Sequence, residues 1–219
     1  MNAELRVENL ELRKEGKMYE IECVFKGVVP MMWDRYVNPE EAAIGQQKRK
    51  GKKVTEAELR KETEAKLYKD RKGVYCPADN IRMMLIGNAS RRGASIILGS
   101  EKEKNKGTMY KSICTGCIWV MGPTDPMKVY IEPKRTTFDD IDVRSANSTA
   151  GRGPAKKIIK KRPIITVPWS LAFTIQVTDD QIDQTFCRQL FEIAGLRCGV
   201  GAYGPTFGRC LIDKWKVQK

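Results

Sequence analysis

Histidine is absent from this 219-residue chain. That removes the side chain that most often acts as a general acid or base near neutral pH and most often binds zinc. Ser–His–Asp and Cys–His nucleophile schemes are excluded outright, so catalysis would have to run through Lys, Tyr or carboxylates. No apolar run approaches the roughly 20 residues that span a bilayer. No secretory leader precedes the cysteines, which number seven and are scattered at Cys23, Cys76, Cys114, Cys117, Cys187, Cys198 and Cys210. An odd count without a leader argues against a disulfide framework, and the expectation is a reduced, cytoplasmic protein of a bacterial or phage-infected cell.

Metal ligands are equally sparse. Cys114-Thr-Gly-Cys117 is half of a zinc knuckle, with no second pair and no imidazole to complete it; burial as small core residues is the simpler account. Asp139, Asp140 and Asp142 form an acidic cluster of the kind a hard divalent ion favours. No motif places further acids beside them, and contact with neighbouring Lys and Arg explains them as well. No metal or cofactor is assigned and an enzyme is not expected; the enzymatic alternative is a metal-dependent nuclease built on Asp139, Asp140 and Asp142.

What the chain has is positive charge: 40 Lys and Arg against 27 Asp and Glu, a formal net charge of +13. Such a balance fits a polyanionic partner, nucleic acid ahead of an acidic membrane surface. Hydrophobic residues, at 41%, suffice for a core, and the length suits one domain with an insertion.

Alternation over Tyr19, Ile21, Cys23 and Phe25 predicts a strand, and Leu5, Val7 and Leu10 before the Glu15-Gly16-Lys17 turn make it half of a hairpin over 4–30. Residues 37–73 read as a basic helical insertion: a block at Lys48, Arg49, Lys50, Lys52 and Lys53, then a capping box at Thr55–Glu58 and a solvated helix. Pro77 opens a helix over 77–90, as its first residue. Residues 100–110 read as a charged loop or helix end, and Ile113–Met121 as an apolar strand. Lys128–Ile131 follows as a short strand. Residues 143–163, with Arg152, Lys156, Lys157, Lys160, Lys161 and Arg162, read as a flexible basic loop. Leu171, Phe173, Ile175 and Val177 alternate in a strand over 168–177. A helix over 179–194, capped from Thr178, ends at Gly195, and a last strand covers 208–217. With the basic segments set aside, the order is βαββαβ, an α+β, ferredoxin-like (RRM-like) core with basic insertions.

Two stretches stand out. Gly195–Gly208 is rich in glycine and is flanked by Arg197 and Arg209. Gly199 and Gly201 let the backbone approach a ligand, as anion cradles do, while Tyr203 and Phe207 offer ring faces. The alternative is a helix cap and a turn into an edge strand. Trp33-Asp34-Arg35-Tyr36 sets two aromatics around charge, which suits stacking on unpaired bases or anchoring a strand end in the core.

The βαββαβ order, the basic insertions and the loop running from Gly199-Val-Gly201 to Phe207-Gly-Arg209 together resemble the RAMP superfamily of CRISPR proteins, above all the backbone subunits that polymerise along guide RNA. The chain also resembles a phage family with Trp33–Tyr36, Pro77–Asn80, Pro168-Trp169 and Gly195–Gly208 as its marks. The RAMP likeness implies one domain over 1–219, a thumb-like element over 37–73, and partners in single-stranded RNA or DNA, further copies of the chain or other RAMP-type subunits, with no membrane. Guide-processing RAMP nucleases use a histidine, absent here. Backbone subunits that cleave use a thumb aspartate, for which Asp34 and Asp70 are the residues at hand. The expected function is single-stranded nucleic-acid binding, RNA favoured, in a ribonucleoprotein filament. Lys48–Lys53, Arg91, Arg92, Arg152, Lys156, Lys157 and Lys160–Arg162 would meet phosphates, with Arg35, Arg197 and Arg209. Trp33, Tyr36, Tyr203 and Phe207 would stack. The alternative is a phage-encoded protein that inhibits a host defence complex by imitating a RAMP subunit.

Overall fold

The computed structural model describes residues 18–37, 55–88, 91–102, 107–148, 156–179 and 182–218. In chain order the first elements are β1 (Tyr19–Gly27), β2 (Met31–Met32), α1 (Glu56–Glu64), β3 (Lys69–Asp70), β4 (Gly73–Pro77), α2 (Ala78–Ile86), β5 (Gly87–Asn88) and β6 (Arg91–Arg92). Then come α3 (Ala94–Lys102), α4 (Gly107–Cys117), β7 (Ile118–Met121), β8 (Lys128–Glu132), β9 (Asp140–Ser148), β10 (Lys156–Ile165), β11 (Ser170–Val177), α5 (Gln184–Ile193), a π-helical turn (Ala194–Cys198) and β12 (Cys210–Gln218). Among the described residues no helix is long and apolar enough to cross a membrane.

The main sheet is antiparallel, with β1 one strand in from its edge. Strand periodicity puts Ile21, Cys23 and Phe25 on one face of β1, and all three are buried. β11 presents Leu171, Phe173, Ile175 and Val177 to the same core. β1 pairs with β11 on one side and β12 on the other. Beyond β11 the edge is shared: β7 runs beside Thr174–Val177, and β8 beside Ser170 and Leu171. The sheet then continues through β4 to β3. Helices α2, α3 and α5 bury Ile81, Leu85, Leu98 and Phe191 in one cluster with those strands. Phe173 stands 5.1 Å from Phe25, and Phe191 6.1 Å from it, ring to ring. The architecture is α+β. A second sheet, ordered β2-β10-β9, starts where the chain leaves β1 through Pro30.

Several expectations change. Both edges of β1 are taken, so it has no room for a hairpin partner; residues 4–17 lie outside the described residues. The strand expected over 113–121 is helix up to Cys117 and strand only from Ile118. Tyr110, Ile113, Cys114 and Cys117 fall at helical spacing, and Ser112 and Thr115 hydroxyls donate to carbonyls four residues back. The charged stretch from 100 is helical to Lys102 and again from Gly107. Pro77 ends β4 and stands at the N-cap of α2. Asp183, not Thr178, caps α5, accepting a hydrogen bond from Phe186 N at 2.7 Å. That helix does not stop at Gly195; it winds into the π-helical turn and stops at Gly199. Arg91 and Arg92 pair in a short strand with Gly87 and Asn88 instead of closing a helix.

The largest correction concerns residues 143–163. β9 and β10 form a continuous ladder from Lys156↔Ser148 to Ile164↔Asp140. Cross-strand charge holds it: Asp142 stands opposite Arg162, and opposite charges across a ladder favour that register. Residues 149–155, with Arg152, lie outside the described residues.

Candidate nucleic-acid interface

Three of the segments singled out above meet at the base of the β9–β10 ladder. The coil after β2 is tied to β10 by Trp33 N donating to Pro163 O at 3.1 Å. The glycine-rich loop docks on β2 and the residue before it, with Ala202 N donating to Met32 O and Gly208 N to Pro30 O, each at 2.8 Å.

Charge alternates across this junction. Lys160 Nζ and Arg162 Nε both donate to Asp34 Oδ2, at 3.1 and 3.0 Å. Arg162 NH1 lies 3.9 Å from Asp142 Oδ2, and Arg144 Nε donates to Asp142 Oδ1 at 2.6 Å. Lys161 pairs with Glu62 at 3.3 Å, and Lys66 Nζ donates to the Lys161 carbonyl, which brings α1 and the segment after it against β10. Burial pushes the Asp34 carboxyl up, but the hydrogen bond and charge of Arg162, then those of Lys160, outweigh it and hold it below the usual carboxylate range.

The aromatics of the glycine-rich loop lie over these guanidiniums. Arg162 is 4.7 Å from the Tyr203 ring centroid; Arg144 is 5.4 Å from Tyr203 and 5.3 Å from Phe207. Guanidinium over a ring is favourable and orients both groups. Tyr203 is 44% exposed and adopts a positive φ of 59°. An aromatic residue held in that region stores strain, so the loop fixes this ring at a conformational cost.

The glycines serve the protein more than a ligand. Gly201 has φ 80°, and a Cβ on it would run into the Met32 carbonyl oxygen. The close approach it permits is to β2.

Other candidates divide by exposure. Trp33 is 1% exposed, 5.8 Å from Tyr68 ring to ring, and presents no face to a base; it anchors the core. Tyr36, three residues on, is 78% exposed. Arg162 is 3% exposed, its guanidinium engaged by Asp34 and lying over the Tyr203 ring. Arg35 is half-buried and Arg209 exposed. Arg92 and Arg197 lie elsewhere, by α3 and the π-helical turn: Arg197 pairs with Glu101, and Cys198 Sγ contacts Arg92 O. Lys156 and Lys157 enter through strand register alone, opposite Ser148 and Asn147, and Arg91 opposite Asn88. Lys48–Lys53 lie outside the described residues. Arg144 and Lys66 were missed by sequence reasoning, and Asp142 was named only within its acidic cluster, because nothing local marks any of them as neighbours of this junction.

The acidic cluster is drawn in different directions. Asp139 accepts from Thr166 N and Oγ1, Asp140 from Ile141 N, and Asp142 from Arg144. Among the described residues no three carboxylates or thiols stand together as a metal site. Asp70 accepts from Lys128 Nζ and Tyr130 Oη, at 2.9 and 2.8 Å; the Lys128 hydrogen bond chiefly holds it well below the usual carboxylate range. Cys114 is buried, which pushes its thiol up to about 12. Burial and the Asp179 carboxylate raise Cys117 as well, so neither thiol is poised as a thiolate ligand.

Fold and site together define an α+β chain with a cationic, aromatic-lined junction between two sheets. No family model and no curated protein matches the sequence. A solved structure does: a chain in the cryo-EM structure of the type III-B Cmr-beta bound to cognate target RNA, with a TM-score of 0.50 and 13% identity over 99% of this chain and 67% of that one. At that identity the likeness is one of fold.

Proposed function

We propose that this chain binds single-stranded nucleic acid, RNA in preference to DNA, as a repeating backbone subunit of a ribonucleoprotein filament. The observation that carries the reading is the junction itself, where ladder cations and the ring faces of Tyr203 and Phe207 lie side by side with exposed Tyr36 close in sequence. Cations for phosphates beside rings for bases is the composition of single-strand grooves.

Two further observations support it. The strands β12-β1-β11-β7 are mutually antiparallel, and β1 reaches β7, and β11 reaches β12, through helices. We read that order as a ferredoxin-like, RRM-like unit of the kind the RAMP resemblance implies. The similar Cmr-beta chain belongs to a structure bound to target RNA. Residues 37–73 are then the thumb-like insertion and the β9–β10 ladder a basic arm. The chain holds the strand without cleaving it: it has no histidine, and Asp34 and Asp70 are engaged by cations.

Filter binding of an unstructured RNA across a salt series tests the reading. Affinity should fall with a log–log slope of roughly −0.7 per phosphate contact. A response flat in salt, or no binding in dilute buffer, overturns it.

A further inference from the structure

Asp34 stands where a phosphate oxygen would. One atom, its Oδ2, receives both Lys160 Nζ and Arg162 Nε. Two cationic donors converging on one anionic oxygen is the local geometry of phosphate recognition. Lys66 lies beside β10, its ammonium hydrogen-bonded to the Lys161 carbonyl; burial pushes its pKa down, and the charges of Asp34 and Glu62 oppose that.

The donors sit on a paired strand and the acceptor in coil. Lys160 and Arg162 belong to β10, locked in register opposite Arg144 and Asp142. Asp34 lies in irregular coil, with a side chain 25% exposed beside a Lys160 that is 36% exposed. Arg162 also has donor capacity in reserve. Its NH1 is buried and makes no hydrogen bond, and neither does Asp142 Oδ2, 3.9 Å away.

We propose that Lys160 and Arg162 form an anion site for one phosphate of a bound strand, and that Asp34 fills it in the strand-free chain as an internal stand-in. The proposal rests on the nucleic-acid reading for its ligand. Binding exchanges one anion for another: a phosphate oxygen accepts from Lys160 and Arg162, and the Asp34 side chain turns out to water. The exchange leaves no buried cation unpaired in either state. It also sets a threshold, because a strand must displace a carboxylate that is already bonded.

The experiment compares the full chain with Asp34→Asn and Lys160→Gln. Anisotropy with labelled oligouridylate over a salt series is read beside thermal melting in inorganic phosphate. Asp34→Asn should bind oligouridylate about tenfold more tightly at each salt concentration, with the native salt slope, since both chains make the same phosphate contact. Inorganic phosphate should raise its melting temperature and leave that of the native chain unmoved. Lys160→Gln keeps the Arg162–Asp34 pair and should shed roughly 0.7 from the slope. If a folded Asp34→Asn binds no better than the native chain, or if Lys160→Gln keeps the native slope, the anion site is refuted while the nucleic-acid reading stands. If every chain ignores oligouridylate while phosphate still stabilises Asp34→Asn, the nucleic-acid reading falls and the anion site remains.

Discussion

The Arg162 guanidinium lies 4.7 Å from the centre of the Tyr203 ring. This contact joins β10 to the glycine-rich loop, and the same guanidinium joins both to Asp34 and Asp142. Removing one partner of a buried pair leaves the other uncompensated and costs about 3–5 kcal/mol. Arg162→Met should therefore lower urea-unfolding stability by about 3 kcal/mol. Arg162→Lys should recover only part, since an ammonium cannot serve two acids and a ring together. A native unfolding midpoint in Arg162→Met would remove Arg162 as the strut of the junction.

Asp34 makes part of the stability pH-dependent. Burial raises its carboxyl, but Arg162 and then Lys160 lower it further. A carboxyl depressed in the folded state contributes stability above its unfolded pKa, about 3.9. That contribution fades as pH falls through the lower folded value. The native chain should therefore lose more melting temperature than Asp34→Asn on acidification, and the two curves should converge below about pH 4. Curves that stay parallel would mean that the pairs contribute nothing.

Two glycines should respond oppositely to the same change. Gly201→Ala forces a Cβ toward the Met32 carbonyl at a φ of 80°, a conflict that costs on the order of 1–3 kcal/mol. Gly116 lies in α4 with nothing within 4 Å of a Cβ. There alanine should stabilise by about 0.5–1 kcal/mol, the helix-interior difference between the two residues. Melting curves read both signs, and a neutral Gly201→Ala would show that the loop can back away from β2.

The sequence made some of this architecture legible. The alternation in β1 and β11 and the apolar stripe of α5 are each a single clean period, so they read correctly. The helix α4 did not, because its stripe runs without a break into Ile118–Met121, and periodicity alone cannot divide a continuous apolar run into helix and strand. β9 and β10 were hidden by their charge. A run such as Lys156–Arg162 reads as solvated loop until its partner strand, with Asp142 opposite Arg162, is known. The junction was half legible: its aromatics and lysines were named, but Asp34 meets Lys160 across 126 positions, and no local pattern predicts a contact that distant.

Trp33 and Tyr36 show what three residues of coil can separate. Trp33 is 1% exposed and packs on Tyr68, whereas Tyr36 is 78% exposed. Trp33→Ala should cost about 3–5 kcal/mol, as buried aromatic truncations do. Tyr36→Ala should change stability by less than about 0.5 kcal/mol. In strand binding Tyr36→Ala should lose about 1–3 kcal/mol, the worth of one stacked base. Urea unfolding and oligouridylate anisotropy on the same preparations give both readings. If Tyr36→Ala binds like the native chain, stacking belongs to Tyr203 and Phe207 alone; if Trp33→Ala unfolds like the native chain, the coil is held by its backbone bonds to Pro163 and Ala202 and not by the indole.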